Sequence, residues 1–244
     1  MGAGAAPWRA AATQVLVDDL DAPELASDDL HHLSRVLRLR AGEVVCATDG
    51  RGGWRMTTFA GSASLEPTGE RGTEPVPSPR LTVGFALVKG ERPELVVQKL
   101  TELGVDHIVP FSARRSVVRW DETKAAKQLE RLRRVAREAC AQSRRLHLPT
   151  VGGLGETPDR LPSLGELRTA GAVLADAGGR PLRRTDSIVL VGPEGGWDPD
   201  EVEGAERVAV ADNVLRAETA AIAVGVALTA LRVGLVGEGL ESSR

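Results

Sequence analysis

A chain of 244 residues, 42% apolar and 27% charged, has the make-up of a soluble globular protein with room for one large domain or two modest ones. Its net charge of −3 excludes a globally basic polyanion binder, yet eleven Lys/Arg against four acids between Ser112 and His147 make a local +7. Such a band in an otherwise acidic chain points to a local polyanion site.

The N-terminus shows no charged stretch followed by an apolar one, so no signal peptide is expected. Gln14–Val17, Glu43–Ala47 and Gly53–Phe59 read as short strands separated by turn signals such as Asp49-Gly50 and Gly52-Gly53. One helix-like segment, Ser27 to Leu39, interrupts them. That pattern, over residues 1–75, is best read as a small β-barrel. Gly50-Arg51-Gly52-Gly53 is not a phosphate loop, because no Lys-Ser/Thr and no helix follow it. The stretch 66–79 is rich in Pro, Gly and charge and lacks apolar periodicity. It predicts a linker, and with it a division into domains 1–75 and 80–244.

Beyond the linker, strands alternate with helices, which predicts an α/β domain on a parallel sheet. Strands are expected at 81–88, 105–109, 172–175, 188–191 and 208–210. Helices are expected at 93–103, 122–143 and 217–233. The long middle helix carries an apolar stripe of Leu129, Leu132, Val135, Ala136, Ala139 and Cys140 at helical spacing. Glu130 and Arg134 stand at i,i+4 on its charged side and are expected to pair. Basic side chains on such a helix form either a solvated face or an RNA-binding one.

The apolar run Ile188–Val191 breaks into Gly192-Pro193-Glu194-Gly195-Gly196-Trp197. Asp198 then suits a helix N-cap, Pro199 the first helical position and Glu201 the reciprocal partner of a capping box. The glycines therefore sit at the C-terminal tip of a strand, where ligands bind in open α/β sheets. Cys46 and Cys140 are too few and too far apart for a metal cluster or a disulfide framework. They are expected as buried free thiols in a reducing cytoplasm. His31, His32, His107 and His147 lack ligand spacing, so no metal is expected. The uncharged run Thr219–Leu231 is shorter than the roughly 20 residues that span a bilayer. A cytoplasmic protein without membrane association is expected.

Five motifs, in order, carry a resemblance. They are His32-Leu33-Ser34-Arg35-Val36-Leu37-Arg38 with Gly42 and Asp49-Gly50; Lys89-Gly90-Glu91-Arg92 with Gln98-Lys99-Leu100-Thr101-Glu102-Leu103-Gly104-Val105; Glu138-Ala139-Cys140-Ala141-Gln142-Ser143; the Gly192–Gly196 loop; and Leu215-Arg216-Ala217-Glu218-Thr219-Ala220. Over nearly its whole length the chain resembles the bacterial 16S rRNA uracil-N3 methyltransferases of the SPOUT superfamily. The resemblance implies an RNA-binding PUA-like barrel followed by a SPOUT methyltransferase domain with a deep C-terminal trefoil knot. It also implies S-adenosylmethionine as cofactor, a homodimer, and 16S rRNA in the small ribosomal subunit as substrate. The chain departs from the family pattern at Ala211 and Arg144, where glycine is usual, and at Asn213, where a basic residue is usual.

Methyl transfer from a sulfonium relies chiefly on orientation. Uridine N3 attacks poorly until its proton leaves, so a base or a cation for the developing anion is needed. Under the resemblance, Glu194, Arg216 and Glu218 are the catalytic candidates. Glu194 could instead accept loop N–H bonds, Arg216 could pair with Glu218, and Glu218 could serve only as a helix-end carboxylate. The cofactor residues implied are Leu174, Val191, Gly192, Pro193, Gly195, Gly196, Val210, Leu215, Ala217 and Thr219, with the strand end Leu174-Ala175-Asp176 at their border. The RNA-binding residues implied are Arg35, Arg38, Arg114, Arg115, Arg131, Arg134, Arg144 and Arg145. Ala220, Ala223, Ala227 and Ala230 give the last helix a small-residue face, flanked by Ile222, Val226 and Val233, which is either a subunit interface or part of the chain's own core. Ribose 2′-O-methylation and a non-catalytic role in ribosome assembly remain the alternative readings.

Overall fold

A computed structural model describes residues 6–90, 92–154 and 159–237, so Glu91 of the second motif lies outside the described residues. The chain divides into two compact units, Met1–Pro77 with Arg137–Leu148, and Ser78–Ala136 with Pro149–Arg244. The linear division read from the sequence did not contain the return of 137–148 to the first unit.

In the first unit, β1 (Thr13–Leu16), β2 (Val44–Thr48), β3 (Gly53–Phe59) and β4 (Leu65–Thr73) form one sheet in that order. β1 lies parallel to β2, and the other pairs are antiparallel. The strand β4 occupies most of the stretch expected to be a linker. Its side chains beyond Leu65 are almost all exposed, so no apolar alternation marks it. It is held by ladder bonds to β3, and its proline and charges suit a sheet edge. The segment Ser27–His31 forms α1 and runs into a π-helical turn, His32–Val36. It ends short of Leu39, where Arg38 adopts φ +54°. Val15, Val45, Ala47, Leu33 and Phe59 are buried in this unit's core.

The second unit alternates as expected: β5 (Thr82–Ala86), α2 (Arg92–Leu103), β6 (His107–Phe111), α3 (Glu122–Gln142, whose residues from Arg137 on belong to the first unit), β7 (Thr150–Val151), α4 (Leu164–Thr169), β8 (Val173–Pro181), β9 (Ile188–Val191), α5 (Pro199–Val202), β10 (Arg207–Ala209) and α6 (Ala217–Arg232). Its six strands are all parallel, in the order β10-β8-β9-β5-β6-β7. Two elements were absent from the sequence reading. β7 is only two residues long, and α4 is a short helix started by a capping box of Ser163 and Glu166. Most of the α3 stripe faces inward: Leu129, Leu132, Ala136, Ala139 and Cys140 are buried, and Val135 is half-buried. The α6 helix buries Ala217, Ala221, Val224, Gly225, Leu228 and Leu231. It lies against α2 so closely that a Cβ on Gly225 would stand 2.5 Å from Leu100. At its far end, the Arg232 Nη1 donates to the buried Asp106 Oδ2 at 2.5 Å from a side chain only 11% exposed.

Candidate active site at the strand tips

The second unit holds a cavity of about 530 Å³ beyond the C-terminal end of β9, beside Ala175–Ala177 of β8, where β8 runs on past β9. That volume suits a small-molecule ligand. Ala175 and Val191 pair across β8 and β9 and form one wall. The loop Gly192–Gly196, the segment Val210–Leu215 and the start of α6 complete it. Among the sequence-derived cofactor residues, Val191, Gly192, Pro193, Gly196, Val210, Leu215 and Ala217 line the cavity, as does Glu194.

Three of the named cofactor residues do not. Leu174 is fully buried in the core beneath, because alternate residues of a strand face opposite ways and it is Ala175 that reaches the cavity. Gly195 turns away: its carbonyl accepts from Arg115 Nη1 at 3.5 Å, and a Cβ there would make ordinary contact with Arg115 at 3.6 Å. Thr219 is exposed on the outer side of the first turn of α6.

Two glycines in this loop are required for different reasons. Gly196 adopts φ +71°, a conformation that strains any side chain. Gly192 sits against Trp197, whose ring atoms would lie 2.8–3.1 Å from an added Cβ. The indole is held by a bond from Nε1 to the Ala175 carbonyl at 2.9 Å and is stacked on Phe111 at 6.0 Å. Trp197 thus ties the loop to β8 at the point where it leaves its pairing with β9. Sequence reasoning missed it because an aromatic after a Gly-rich loop carries no pattern of its own. The capping box of Asp198 and Glu201 forms as read and starts α5 just beyond.

Donors ring this apolar space. Among the described residues, the N–H groups of Gly192 and Glu194 donate to no protein acceptor, and Arg216 gives α6 no side-chain cap. The first-turn N–H groups of α6 are therefore open beside Ala217. An apolar cavity with unpaired backbone donors fits an adenosine-bearing, amino-acid-bearing ligand such as S-adenosylmethionine.

The catalytic candidates separate. Arg92, which opens α2, pairs with Glu194 and lies 3.7 Å through Nε from Glu218 Oε1. Glu218 is 13% exposed, and its Oε2 has no partner. Arg216 is exposed and makes no ion pair among the described residues, so the Arg216–Glu218 pair considered from sequence does not form. Neither Arg216 nor Glu218 lines the cavity, although their neighbours Leu215 and Ala217 do. The bridging Arg92 lay unassigned in the second motif, because only the fold brings α2 to the loop.

The basic residues also divide. Arg114 pairs with Asp200, and its own N–H donates to Glu201 at 2.8 Å. The Asp200 carboxylate raises its guanidinium further above the usual arginine range. Arg115 lies 3.3 Å from Asp198, and Arg131 lies 3.0 Å from Glu94. Each of these three has an acid partner at an exposed site. Arg134 is exposed and has no partner among the described residues; the expected bond to Glu130 does not form. With Lys124, Lys127 and Arg131 it follows spacings of three, four and three along one face of α3. In the first unit, Arg35 and Arg38 are exposed. Arg144 departs from its expected role. It takes φ +56°, which accounts for the glycine usual there, and its guanidinium donates to the carbonyls of Trp8, Ala11 and Ala12 at 3.3, 2.5 and 3.0 Å. It is a structural clamp. Arg145 is half-buried, and its carbonyl accepts the Gln14 amide at 2.7 Å.

The fold and the site define an RNA methyltransferase of SPOUT type, with a PUA-like unit at its N-terminus. The RNA methyltransferase domain family matches residues 75–229, and the RNA methyltransferase PUA domain family matches residues 25–62. The ribosomal RNA small subunit methyltransferase E of Mycobacterium tuberculosis is 35% identical, over 81% of this chain and 82% of that protein. The Bacillus subtilis protein of the same name is 28% identical, over 85% of this chain and 90% of its own. The solved structure of the Neisseria gonorrhoeae enzyme of that name, bound to S-adenosyl methionine, superposes with a TM-score of 0.74 at 27% identity, covering 90% of this chain and 97% of that one. The chain belongs to the ribosomal RNA small subunit methyltransferase E family.

Proposed function

We propose that this chain methylates N3 of a uridine in 16S rRNA, with S-adenosylmethionine as methyl donor, and that it works as a homodimer. The observation that carries this reading is the cavity beyond the end of β9 and beside Ala175–Ala177 of β8, lined mostly by apolar residues and bordered by backbone donors that have no acceptor among the described residues, in a chain of this family. When bound, the cofactor supplies an electrophilic methyl carbon. Val191, Gly192, Pro193, Gly196, Val210, Leu215 and Ala217 would hold it, largely through backbone and apolar contact.

The chain's own side chains would then deal with the uridine N3 proton and charge. Glu194 stands on the cavity with Oε1 tied to Arg92, which leaves Oε2 to accept a proton. Arg216, at the N-cap of α6 and without an ion pair among the described residues, would offset the negative charge that develops on the uracil ring. Arg92 positions both Glu194 and Glu218. RNA would be held by Arg35 and Arg38 on the first unit and by Lys124, Lys127 and Arg134 on α3. The homodimer reading is supported by α6: Ala223, Ala227 and Ala230 are only half-buried within the chain, and Val226 and Val233 are exposed. Ala220 of the same helix lines the cavity, so such an interface would border the cofactor site.

The test is incubation with 16S rRNA or small subunits and labelled cofactor, followed by nucleoside analysis. The expected product is 3-methyluridine, with the neighbouring phosphodiester still open to alkali. An alkali-resistant dinucleotide would establish ribose methylation instead, and absence of cofactor binding by calorimetry would favour the non-catalytic role.

A further inference from the structure

The charge on the cavity wall is one-sided. Two of its lining residues are carboxylates, Asp176 and Glu194, one is the amide Asn213, and none is Lys, Arg or His. Asp176 Oδ2 accepts from Arg207 Nη1 at 3.0 Å, and Glu194 Oε1 accepts from Arg92. Neither arginine lines the cavity. The second oxygen of each carboxylate accepts from no protein donor among the described residues. Each pair is therefore a dipole with its negative end on the wall. Asp176 is the better shielded from water, at 33% exposure against 56% for Glu194, so its field is the less screened.

We propose that this wall, which carries carboxylates and no cation, selects the sulfonium cofactor over its thioether product, with Asp176 as the residue that sets the preference. The inference rests on the cofactor reading above. Methyl transfer forms the N3–C bond and returns the C–S bonding pair to sulfur, while the N3 proton leaves to base and then solvent. S-adenosylhomocysteine consequently carries one positive charge fewer than S-adenosylmethionine. The same carboxylates that favour the substrate cofactor lose an attraction once the methyl has gone, which promotes exchange of the product.

Calorimetric titration of the intact protein with each of the two compounds tests this. The wild-type protein should bind the sulfonium compound about three- to tenfold more tightly than the thioether, the size of one partly screened charge interaction. Asp176→Asn should bring the two within about twofold, with the loss confined to the sulfonium compound. Asp176→Glu should keep the preference. Arg207→Gln, which removes the neutralising partner from a half-exposed position, should widen it, and this variant carries the test if Asp176→Asn does not fold. Both ratios unchanged, with both compounds still binding, would overturn the proposal and leave the cofactor reading intact. A wild-type protein that binds neither compound would overturn both.

Discussion

At Gly192 a single hydrogen separates the cofactor loop from the Trp197 indole. A valine there must displace the ring from its bond to the Ala175 carbonyl. Gly192→Val should therefore lower cofactor affinity by at least about tenfold while the far-UV dichroism stays native. Gly195→Val, whose side chain would only touch Arg115, should stay within about threefold of wild type. Equal losses in the two variants would mean that the loop responds as a whole and that Trp197 has no special part. The cysteines give a second prediction. Burial pushes the Cys46 thiol up to about 12 and Cys140 up to about 11, with Arg144 and Arg145 respectively opposing the rise. Both should resist iodoacetamide at pH 8 in the native protein and react in urea. Because the folded values are raised, the stability they contribute is complete below the ordinary thiol value and is lost as pH rises through about 11 to 12. Fast alkylation of the folded protein would show that these thiols are reached without unfolding.

Two helices allow tests at the scale of whole elements. On α3, Arg131 is occupied by Glu94, so the open cations of that face are Lys124, Lys127 and Arg134. Reversal of Lys127 and Arg134 to Glu should weaken RNA binding and flatten its log–log salt dependence by about 0.7 per phosphate contact removed. Cofactor binding should not change. A slope identical to wild type would return α3 to the role of a solvated amphipathic helix. On α6, the largely shielded Arg232 holds Asp106 and also donates to the Gly104 carbonyl at 2.8 Å, which pins the helix end to the start of β6. Arg232→Met leaves Asp106 buried without its cation and should cost about 3–5 kcal/mol in urea unfolding. A loss below about 1 kcal/mol would show that water replaces the guanidinium at little cost.

For the whole molecule the proposed dimer is decisive, because α6 uses one face inside its own chain and leaves another partly open. Ala221, Val224, Gly225 and Leu228 are buried, whereas Ala227 is half-buried and Val226 is 48% exposed. Ala227→Arg should give monomers by light scattering and abolish most of the methylation. A monomeric wild-type protein that methylates RNA at full rate at micromolar concentration would remove the dimer from the mechanism.

What local chemistry determines was legible in the sequence. The strand Ile188–Val191, the capping box at Asp198 and Glu201, the buried stripe of α3 and the extent of α6 follow from periodicity and helix-end preferences that act within a few residues. The order of the motifs likewise announced the family before any contact was known. Other features depend on partners distant in sequence, and only the tertiary structure decided them. β4 is a strand because β3 supplies its hydrogen bonds, not because its residues alternate. Arg144 is a clamp because three carbonyls more than 130 residues away converge on it. Arg114, Arg115 and Arg131 carry the charge that marked them as RNA contacts, and the fold adds acid partners that the sequence did not show. Charge and propensity belong to a residue, whereas pairing and burial belong to what the folded chain places beside it.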